Sequence, residues 1–394
     1  MVRSILSRGR RWPIAVDIGS DSIKLFQLGS HGGRLAVQAC GLYRCPSGQT
    51  DTDAAQKRQQ MIAAVRQMLH SGPFAGRQAV SCLSSEQLHI KNIRLPKMPP
   101  GDVDKAVQWE AKERFGFEVG PDRLSCLLAG EVRSGNDVLD EMILLAVPKE
   151  VIDEHVDLVS QMGLKPLHVD AEPVALFRAY DRLIRRPGDE ETVTVILDLG
   201  RSASRVLVAR GEQIVFIKNI EIGGSHLNES VARKFNLSYQ EAVDLRLRTI
   251  GVGAASSAES GEAKPAAAPE QRESLEWSVR DAVRGQVESL AREISLCLRY
   301  CTVTFRGLRT GKAVVCGGEA YDRALTGMLS EQLGMECTVE NPLRGIDIGR
   351  TDLAADGRGL FSEWALCAGL ALGWTRGSAE RMDGASHAES RLSA

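Results

Sequence analysis

The sequence has 394 residues, of which 43% are hydrophobic and 25% charged, so it can bury a sizeable core and is too long for one ordinary domain. Its formal net charge of −2 and its 5% of aromatic residues argue against binding nucleic acid by bulk charge or by stacking. The nine cysteines include no Cys-x-x-Cys pair, which favours free thiols in a reducing cytoplasm. The longest apolar run, 364–374, is about half of the ~20 residues that a membrane span needs.

The first motif is a strand that stops at an aspartate and resumes after a short turn. Asp17 ends an apolar run, Gly19, Ser20 and Ser22 form the turn, and Lys24 lies in the next apolar run. Glycine lets backbone N–H groups approach a phosphate, and serine hydroxyls and a lysine can add donors and charge. An ordinary hairpin would have the same pattern, and a single copy favours that simpler reading.

The same pattern returns in residues 193–208. An apolar strand ends at Asp198, Gly200 follows two residues later, and Ser202 and Ser204 supply the hydroxyls. Repetition of a strand–turn–strand unit predicts two halves of related architecture. Two copies on opposite halves favour a phosphate site over two plain hairpins.

Aspartates that face phosphate would be repelled unless a cation lies between them. Asp17 and Asp198 are therefore expected to be outer ligands of Mg²⁺, through its water molecules. Behind the two turns, the chain contains two strands that each end in a glycine pair before a helix, at Gly223–Gly224 and Gly317–Gly318. A glycine pair alone only marks a turn, but this order places two helix starts and bare backbone near a ligand.

In this order, the two Asp-x-Gly turns and the late Gly-Gly turn resemble the actin, sugar-kinase and heat-shock-chaperone superfamily. Within it, the chain resembles the PilM family, the FtsA-related actin-like proteins of type IV pilus assembly. The matching stretches are VDIGSDSIKL, IRLPKMPPGDVDKAVQWEAKERFGF, LKPLHVDAEPVALFRAY, IEIGGSHLNESVARKFNLSYQEAVDLR and CTVENPLRGIDI. The Leu-Pro-Lys-Met segment followed by a Trp-Glu-Ala helix is the most specific of these features.

The resemblance implies an α/β protein with the two-lobed actin-like ATPase fold, in which two related mixed-sheet lobes enclose a nucleotide cleft and an α+β subdomain is inserted. It implies ATP and Mg²⁺ as cofactors. By position, the resemblance implies that the first phosphate loop consists of Asp17, Gly19, Ser20, Ser22 and Lys24, and the second of Asp198, Gly200, Ser202 and Ser204. It implies that Gly223 and Gly224 approach the nucleotide and that Arg246 lies near the base. Gly317 and Gly318 would flank the adenosine.

The sequence departs from the family pattern at four positions in or near this site. Arg246 stands where the family usually has a lysine, and Arg201 replaces a small residue in the second loop. Val243 takes a position that is often acidic, which removes one candidate ribose contact, and Glu319 follows the late Gly-Gly where a third small residue is common. These departures bear on the affinity of the nucleotide site.

The segment DAEPVALFRAY resembles the interlobe helix of the superfamily, where an acidic residue can orient the attacking water. Glu172 is the first candidate for this role and Asp170 the second. Glu172 precedes Pro173, so it could equally cap the helix, and the two roles are compatible.

The resemblance and the composition together predict the domain boundaries. These are a basic tail (1–11), a first-lobe core (12–92), an inserted partner-binding subdomain (93–168), an interlobe helix (169–192), a second lobe (193–348) with a mobile loop (251–270), a return to the first lobe (349–375) and a disordered tail (376–394). The insert contains a helix from Asp102 to Phe115 in which Trp109 could be a core residue, which we favour, or an interface anchor. A long helix is expected from about 274 to 305.

The resemblance implies a cytoplasmic, ATP-binding scaffold at the inner membrane, bound there through the cytoplasmic N-terminal segment of a PilN-like membrane protein. The peptide of the PilN-like protein would lie in a groove between the first lobe and the insert. ATP hydrolysis would be slow at most. Whether the protein associates with itself stays open. The alternatives are an active ATPase of the same fold, an FtsA-like division protein, or the L-type cytoplasmic component of a secretion system. The tail lacks the apolar helix face typical of FtsA, which favours the pilus interpretation.

Overall fold

The computed structural model describes residues 12–45, 54–184, 192–250, 269–305, 310–349, 351, 353 and 359–375. The predicted tails 1–11 and 376–394 lie outside these residues. Residues 251–268 of the predicted mobile loop (251–270) also lie outside the described residues, and residues 269 and 270 begin a helix.

Each half of the chain begins with three consecutive strands, and helices and further strands follow. The first half contains β1 (Ile14–Ile18), β2 (Ser22–His31), β3 (Arg34–Arg44), α1 (Ala54–Ser71), β4 (Gln78–Leu83), β5 (His89–Pro96), α2 (Pro100–Phe115), β6 (Leu124–Ser134), β7 (Asp137–Ala146), α3 (Lys149–Gln161), β8 (Lys165–Ala171) and α4 (Glu172–Ile184). The second half contains β9 (Val193–Leu199), β10 (Ser204–Arg210), β11 (Gln213–Ile220), α5 (Gly224–Phe235), α6 (Tyr239–Thr249), α7 (Pro269–Thr304), β12 (Thr310–Cys316), α8 (Arg323–Leu333), β13 (Glu336–Val339) and α9 (Ala365–Leu372).

Two five-stranded sheets have the same topology. The first has the order β3-β2-β1-β4-β8 and the second the order β11-β10-β9-β12-β13. In each, the central strand pairs antiparallel with the next strand in sequence and parallel with the fourth. The central strands are mostly apolar because both faces of each sheet are covered: all seven residues of β9 are buried, including Thr194 and Asp198. The two related mixed-sheet lobes predicted from the sequence are confirmed.

A third sheet, β5-β7-β6, is antiparallel and belongs to the segment between β4 and α3. Helix α2 packs on it through Val107 and Ala111, which join a small core of their own. The three strands of this sheet lie within His89–Ala146. Strand β8, where the predicted insert ends, is the edge strand of the first sheet. The predicted boundaries of the insert, 93–168, stay a prediction.

Helix α4 ties the lobes together at the base of the molecule. It packs against α9, and the crossing is so close that a Cβ on Gly369 would lie 1.8 Å from the carbonyl oxygen of Ala175. At its other end, Arg182 donates to the carbonyl oxygens of Pro342 and Arg344, which follow β13 of the second sheet.

Helix α7 confirms the long helix predicted from apolar spacing, with Val279, Val283, Val287 and Ile294 buried against the second sheet. Trp109 does not take the core position favoured above: its side chain on α2 is 62% exposed. A helix of mixed polarity has a boundary zone between its faces, and there the periodicity alone cannot assign a large side chain. Among the described residues, none of the helices is both long and apolar enough to cross a membrane.

Candidate functional site

The first Asp-x-Gly turn joins β1 to β2 and is closed by the Gly19 N–H, which donates to the carbonyl oxygen of Ser22 over 2.9 Å. Asp17 and Lys24 lie opposite each other in the strand register and form a buried ion pair, 2.8 Å between Nζ and Oδ2. Burial alone would lower the pKa of Lys24, but Asp17, together with smaller contributions from Cys367 and Glu363, raises that pKa above its usual value. Ser20 is exposed at the tip of the turn.

The second turn joins β9 to β10 with the same geometry. The Gly200 N–H donates to the carbonyl oxygen of Ala203 over 3.1 Å, and Asp198 pairs with Arg205, 2.7 Å between Nη1 and Oδ2. The serine hydroxyls of this turn are engaged by the protein: Ser204 donates to the Ile222 carbonyl and Ser202 to Glu86.

Superposing the two turns by register makes Arg205 the counterpart of Lys24. Each cation lies seven residues after its aspartate, directly opposite it in the antiparallel pair. Our sequence reasoning aligned the aspartates and glycines correctly but missed Arg205. The equal spacing of the two cations was the signal that could have identified it.

Arg205 also brings the catalytic candidate Glu172 into the cleft. Its Nε lies 2.7 Å from Glu172 Oε2, although the N–H bond is not directed at an acceptor. The same oxygen accepts hydrogen bonds from the backbone N–H and hydroxyl of Ser85, at 2.6 and 2.9 Å. Burial raises the pKa of Glu172. The guanidinium of Arg205 opposes this rise, but it is shared with Asp198, and the negative charge of Asp198 raises the pKa of Glu172 further. This oxygen therefore belongs to a cleft network that includes the loop after β4, helix α4 and strand β10.

The second catalytic candidate, Asp170, has a different environment. It ends β8 and forms an ion pair with Arg178 of α4, 2.9 Å between Oδ2 and Nη1. Arg178 also donates to the carbonyl oxygen of Gly369. Asp170 thus holds α4 and α9 together and has none of the contacts with the second turn that Glu172 has.

Two further contacts connect the second turn to the first lobe across the cleft. Arg201 pairs with Asp21 of the first turn and lies over the ring of Tyr239, 5.8 Å from its centroid. Ser202 reaches Glu86, which follows β4, over 2.7 Å. The two turns, 181 residues apart in sequence, therefore face each other as the resemblance implies.

The glycine pair before α5 packs against the second turn. A Cβ on Gly223 would lie 2.5 Å from the Arg201 carbonyl oxygen, so only glycine allows this approach. The N–H groups of Gly224 and Ser225 donate to the carbonyl oxygens of Gly200 and Arg201, at 3.0 and 2.8 Å. The first donors of α5 thus hold the second turn in place.

The late glycine pair ends β12 next to the second aspartate. Gly317 has φ of +90°, and a Cβ there would lie 2.5 Å from Asp198 Oδ1. That carboxylate oxygen accepts a hydrogen bond from the thiol of Cys316 over 3.8 Å. Gly318 begins a short 3-10 turn, and the space beside its Cα is open.

Arg246 of α6 lies between these two glycine pairs and is 4% exposed. It donates to Asn228 Oδ1 over 2.8 Å and to Glu319 Oε2 over 2.7 Å, and it approaches Asp322 at 3.4 Å. Burial alone would lower its pKa, but the two carboxylates raise it. The guanidinium predicted to lie near the base is thus bound by the protein's own acceptors, and sequence reasoning missed Asp322 and Asn228.

Two equivalent sheets, two equivalent Asp–cation turns and a cleft between them define a protein of the two-lobed actin-like class. Comparison with solved structures gives a chain of the PilM-PilN type IV pilus biogenesis complex, with a TM-score of 0.71 and 21% identity over 91% of this chain and 97% of that one. The ethanolamine utilization protein EutJ from Carboxydothermus hydrogenoformans is more distant, with a TM-score of 0.49 and 15% identity over 92% and 89% of the two chains.

The family itself is set by the sequence. The model of the type IV pilus assembly protein PilM family matches residues 15–249, more than half of the chain. The chain belongs to this family, which confirms the resemblance drawn from the two turns and the Leu-Pro-Lys-Met segment.

Proposed function

We propose that this protein is a nucleotide-binding scaffold on the cytoplasmic side of the pilus assembly platform, held at the inner membrane by a PilN-like partner. The observation that carries the nucleotide part is the pair of facing turns. Each presents an aspartate with a cation seven residues later, and Arg201 and Asp21 join them across the cleft. A triphosphate between the turns would take over cations that now bind carboxylates.

The donor set suits Mg²⁺ in an outer-sphere role. One oxygen of Asp17 and one of Asp198 are bound by Lys24 and Arg205, so these carboxylates can accept from metal-bound water without forming a protein cage. Mg²⁺ keeps several of its waters and is often held through one or two carboxylates and the substrate phosphates. When bound, it would neutralise phosphate charge beside the two aspartates.

We expect at most slow hydrolysis. Glu172 is a buried acid beside Arg205 of β10, but its Oε2 is already bound by Ser85 and faces Arg205. To orient a water, this carboxylate would need an oxygen free of both partners. Asp170 is paired with Arg178, which leaves Glu172 as the better candidate.

The nucleotide part is tested by single-turnover measurement with trace labelled Mg·ATP and excess protein, with Asp17→Ala as the control. Tight binding with little product, lost in the control, supports the scaffold. Rapid product formation replaces it with an active ATPase, and Glu172→Gln should then abolish turnover. Equal retention of label by both proteins, or by neither, refutes a nucleotide site at the first turn.

The partner part rests on family membership and on the exposed surface of α2. The solved relative is a complex of PilM with PilN. We propose that a PilN-like N-terminal peptide binds between the first lobe and the third sheet, and that Trp109, 62% exposed, contributes to this surface. Exposed tryptophans are enriched among residues that dominate interfaces.

Trp277 on α7 provides a matched control, because it is equally exposed, at 62%, but belongs to the second lobe. Binding of a fluorescent peptide of the PilN-like cytoplasmic segment should weaken about tenfold or more in Trp109→Ala and stay unchanged in Trp277→Ala. Equal affinities of the wild type and both variants would exclude Trp109 from the partner surface. Self-association would be measured in the same samples by sedimentation.

A further inference from the structure

The cleft ends, beyond the two turns, at a buried arginine that holds a carboxylate in one position. Arg246 donates to Glu319 Oε2 over 2.7 Å, and it also contacts Asn228, Asp322 and the carbonyl oxygen of Gly224. Arg246 is 4% exposed, so losing the glutamate would leave a buried charge short of a partner. One oxygen of Glu319 is therefore fixed by the protein.

The second oxygen of Glu319 is oriented differently. Oε1 lies so close to Gly224 that a Cβ built there would be 1.9 Å from it. Within the described part of the chain, no hydrogen-bond donor reaches Oε1. The Glu319 side chain keeps about one fifth of its surface accessible, so this oxygen is an acceptor at the edge of the cleft.

Oε1 lies near the residues that the family resemblance places at the nucleoside end of the site. Gly224 is one of the glycines that face the second turn, and Glu319 directly follows Gly318, beside which the space is open. A nucleotide whose phosphates lie between the two turns would extend its sugar toward this end. Val243, on the same helix as Arg246, offers no polar atom there.

We propose that Glu319 is the residue that recognises the ribose hydroxyls of the bound nucleotide, with Arg246 as its positioning residue; this rests on the nucleotide site proposed above. A ribose presents two hydroxyl donors, and a carboxylate is the acceptor that binds them most strongly. Because Oε2 is already fixed, little side-chain freedom is lost when Oε1 accepts a hydroxyl. The site then selects ribonucleotides over deoxyribonucleotides.

The test compares the affinities of the wild type for Mg·ATP and Mg·2′-deoxy-ATP, measured by calorimetry. A hydrogen bond to a charged acceptor predicts that the deoxynucleotide binds about tenfold more weakly. Glu319→Gln and Glu319→Ala should bring this ratio close to one. The matched control is Glu336→Gln, an exposed glutamate at the start of β13, which should keep the wild-type ratio.

Arg246→Lys keeps the charge but cannot hold Glu319 with the same geometry, so the ratio should fall while the melting temperature shows whether the fold is retained. An unchanged ratio in both Glu319 variants overturns the proposal, even though nucleotide still binds. Tighter binding of both nucleotides by Glu319→Ala also overturns it and identifies the side chain as an obstruction. Failure of the wild type and of Asp17→Ala alike to bind any nucleotide refutes the underlying site and this proposal with it.

Discussion

Replacing Arg205 by methionine tests whether its guanidinium holds the charges of the cleft together. Arg205 is mostly buried and lies 2.7 Å from both Asp198 and Glu172, whose side chains are 11% and 6% exposed. Removing one partner of a buried ion pair costs about 3–5 kcal/mol, because the remaining charge is left without compensation. We expect Arg205→Met to lower the free energy of unfolding by about that amount at pH 8.

The cost should depend on pH in a defined direction. Burial already raises the pKa of Glu172, and Arg205 is the largest opposing influence, so the variant raises that pKa further. A folded-state carboxyl with a raised pKa destabilises the protein as pH rises from the unfolded value through the folded one. The difference in stability between the wild type and Arg205→Met should therefore be smallest near pH 5 and grow toward pH 8.

The assay is urea unfolding followed by fluorescence and circular dichroism at pH 5, 6.5 and 8. Arg205→Met/Glu172→Gln should recover a large part of the loss at pH 8, since the amide carries no charge to bury. A cost below about 1 kcal/mol at pH 8 would show that the pair is screened like a surface salt bridge. A cost that neither varies with pH nor responds to Glu172→Gln would refute the link to Glu172.

Three further outcomes are expected. Gly369→Ala should lower stability by about 3 kcal/mol or more, because its Cβ would overlap the backbone of Ala175, whereas Gly285→Ala in the open middle of α7 should raise stability by about 0.5–1 kcal/mol; thermal unfolding compares them. Burial lowers the pKa of His155 from 6.5 to about 4, so stability present above pH 6.5 should fall by about 3 kcal/mol as pH drops from 6.5 to 4, and His155→Gln should remove this slope in urea titrations. Arg201→Ala should cost less than about 1 kcal/mol in stability yet speed amide exchange in both turns, as measured by mass spectrometry.

The sequence was most informative where the chemistry is local. Both Asp-x-Gly turns, the start of α5 at Gly224 and the apolar stripe of α7 follow from short-range patterns. Their agreement with the structure reflects turn geometry and helical periodicity, which a few neighbouring residues determine. Family resemblance then added the arrangement of the two lobes, which no local pattern contains.

The residues that sequence reasoning missed depend on contacts between distant segments. Arg205 meets Glu172 only because β10 and α4 come together, and Ser85 joins them from the loop after β4. Glu319 could be recognised as unusual, but its bond to Arg246 spans 73 residues. Trp109 was assigned to the core because spacing on a helix does not say where the neighbouring surface ends.

The contacts across the cleft differ in kind between its mouth and its base, and this difference bears on how a ligand enters. At the mouth, Arg201 meets Asp21 through partly exposed side chains, an interaction that salt and water weaken. At the base, α4 packs against α9 with backbone contact at Gly369 and bonds to the chain after β13 through Arg182. Opening at the mouth therefore breaks interactions worth little, whereas opening at the base breaks the bonds of Arg182 to the carbonyl oxygens of Pro342 and Arg344. A phosphate can replace Asp21 as the partner of Arg201 without disturbing the base, so ligand binding should alter the spacing of the two turns while α4 and α9 stay together.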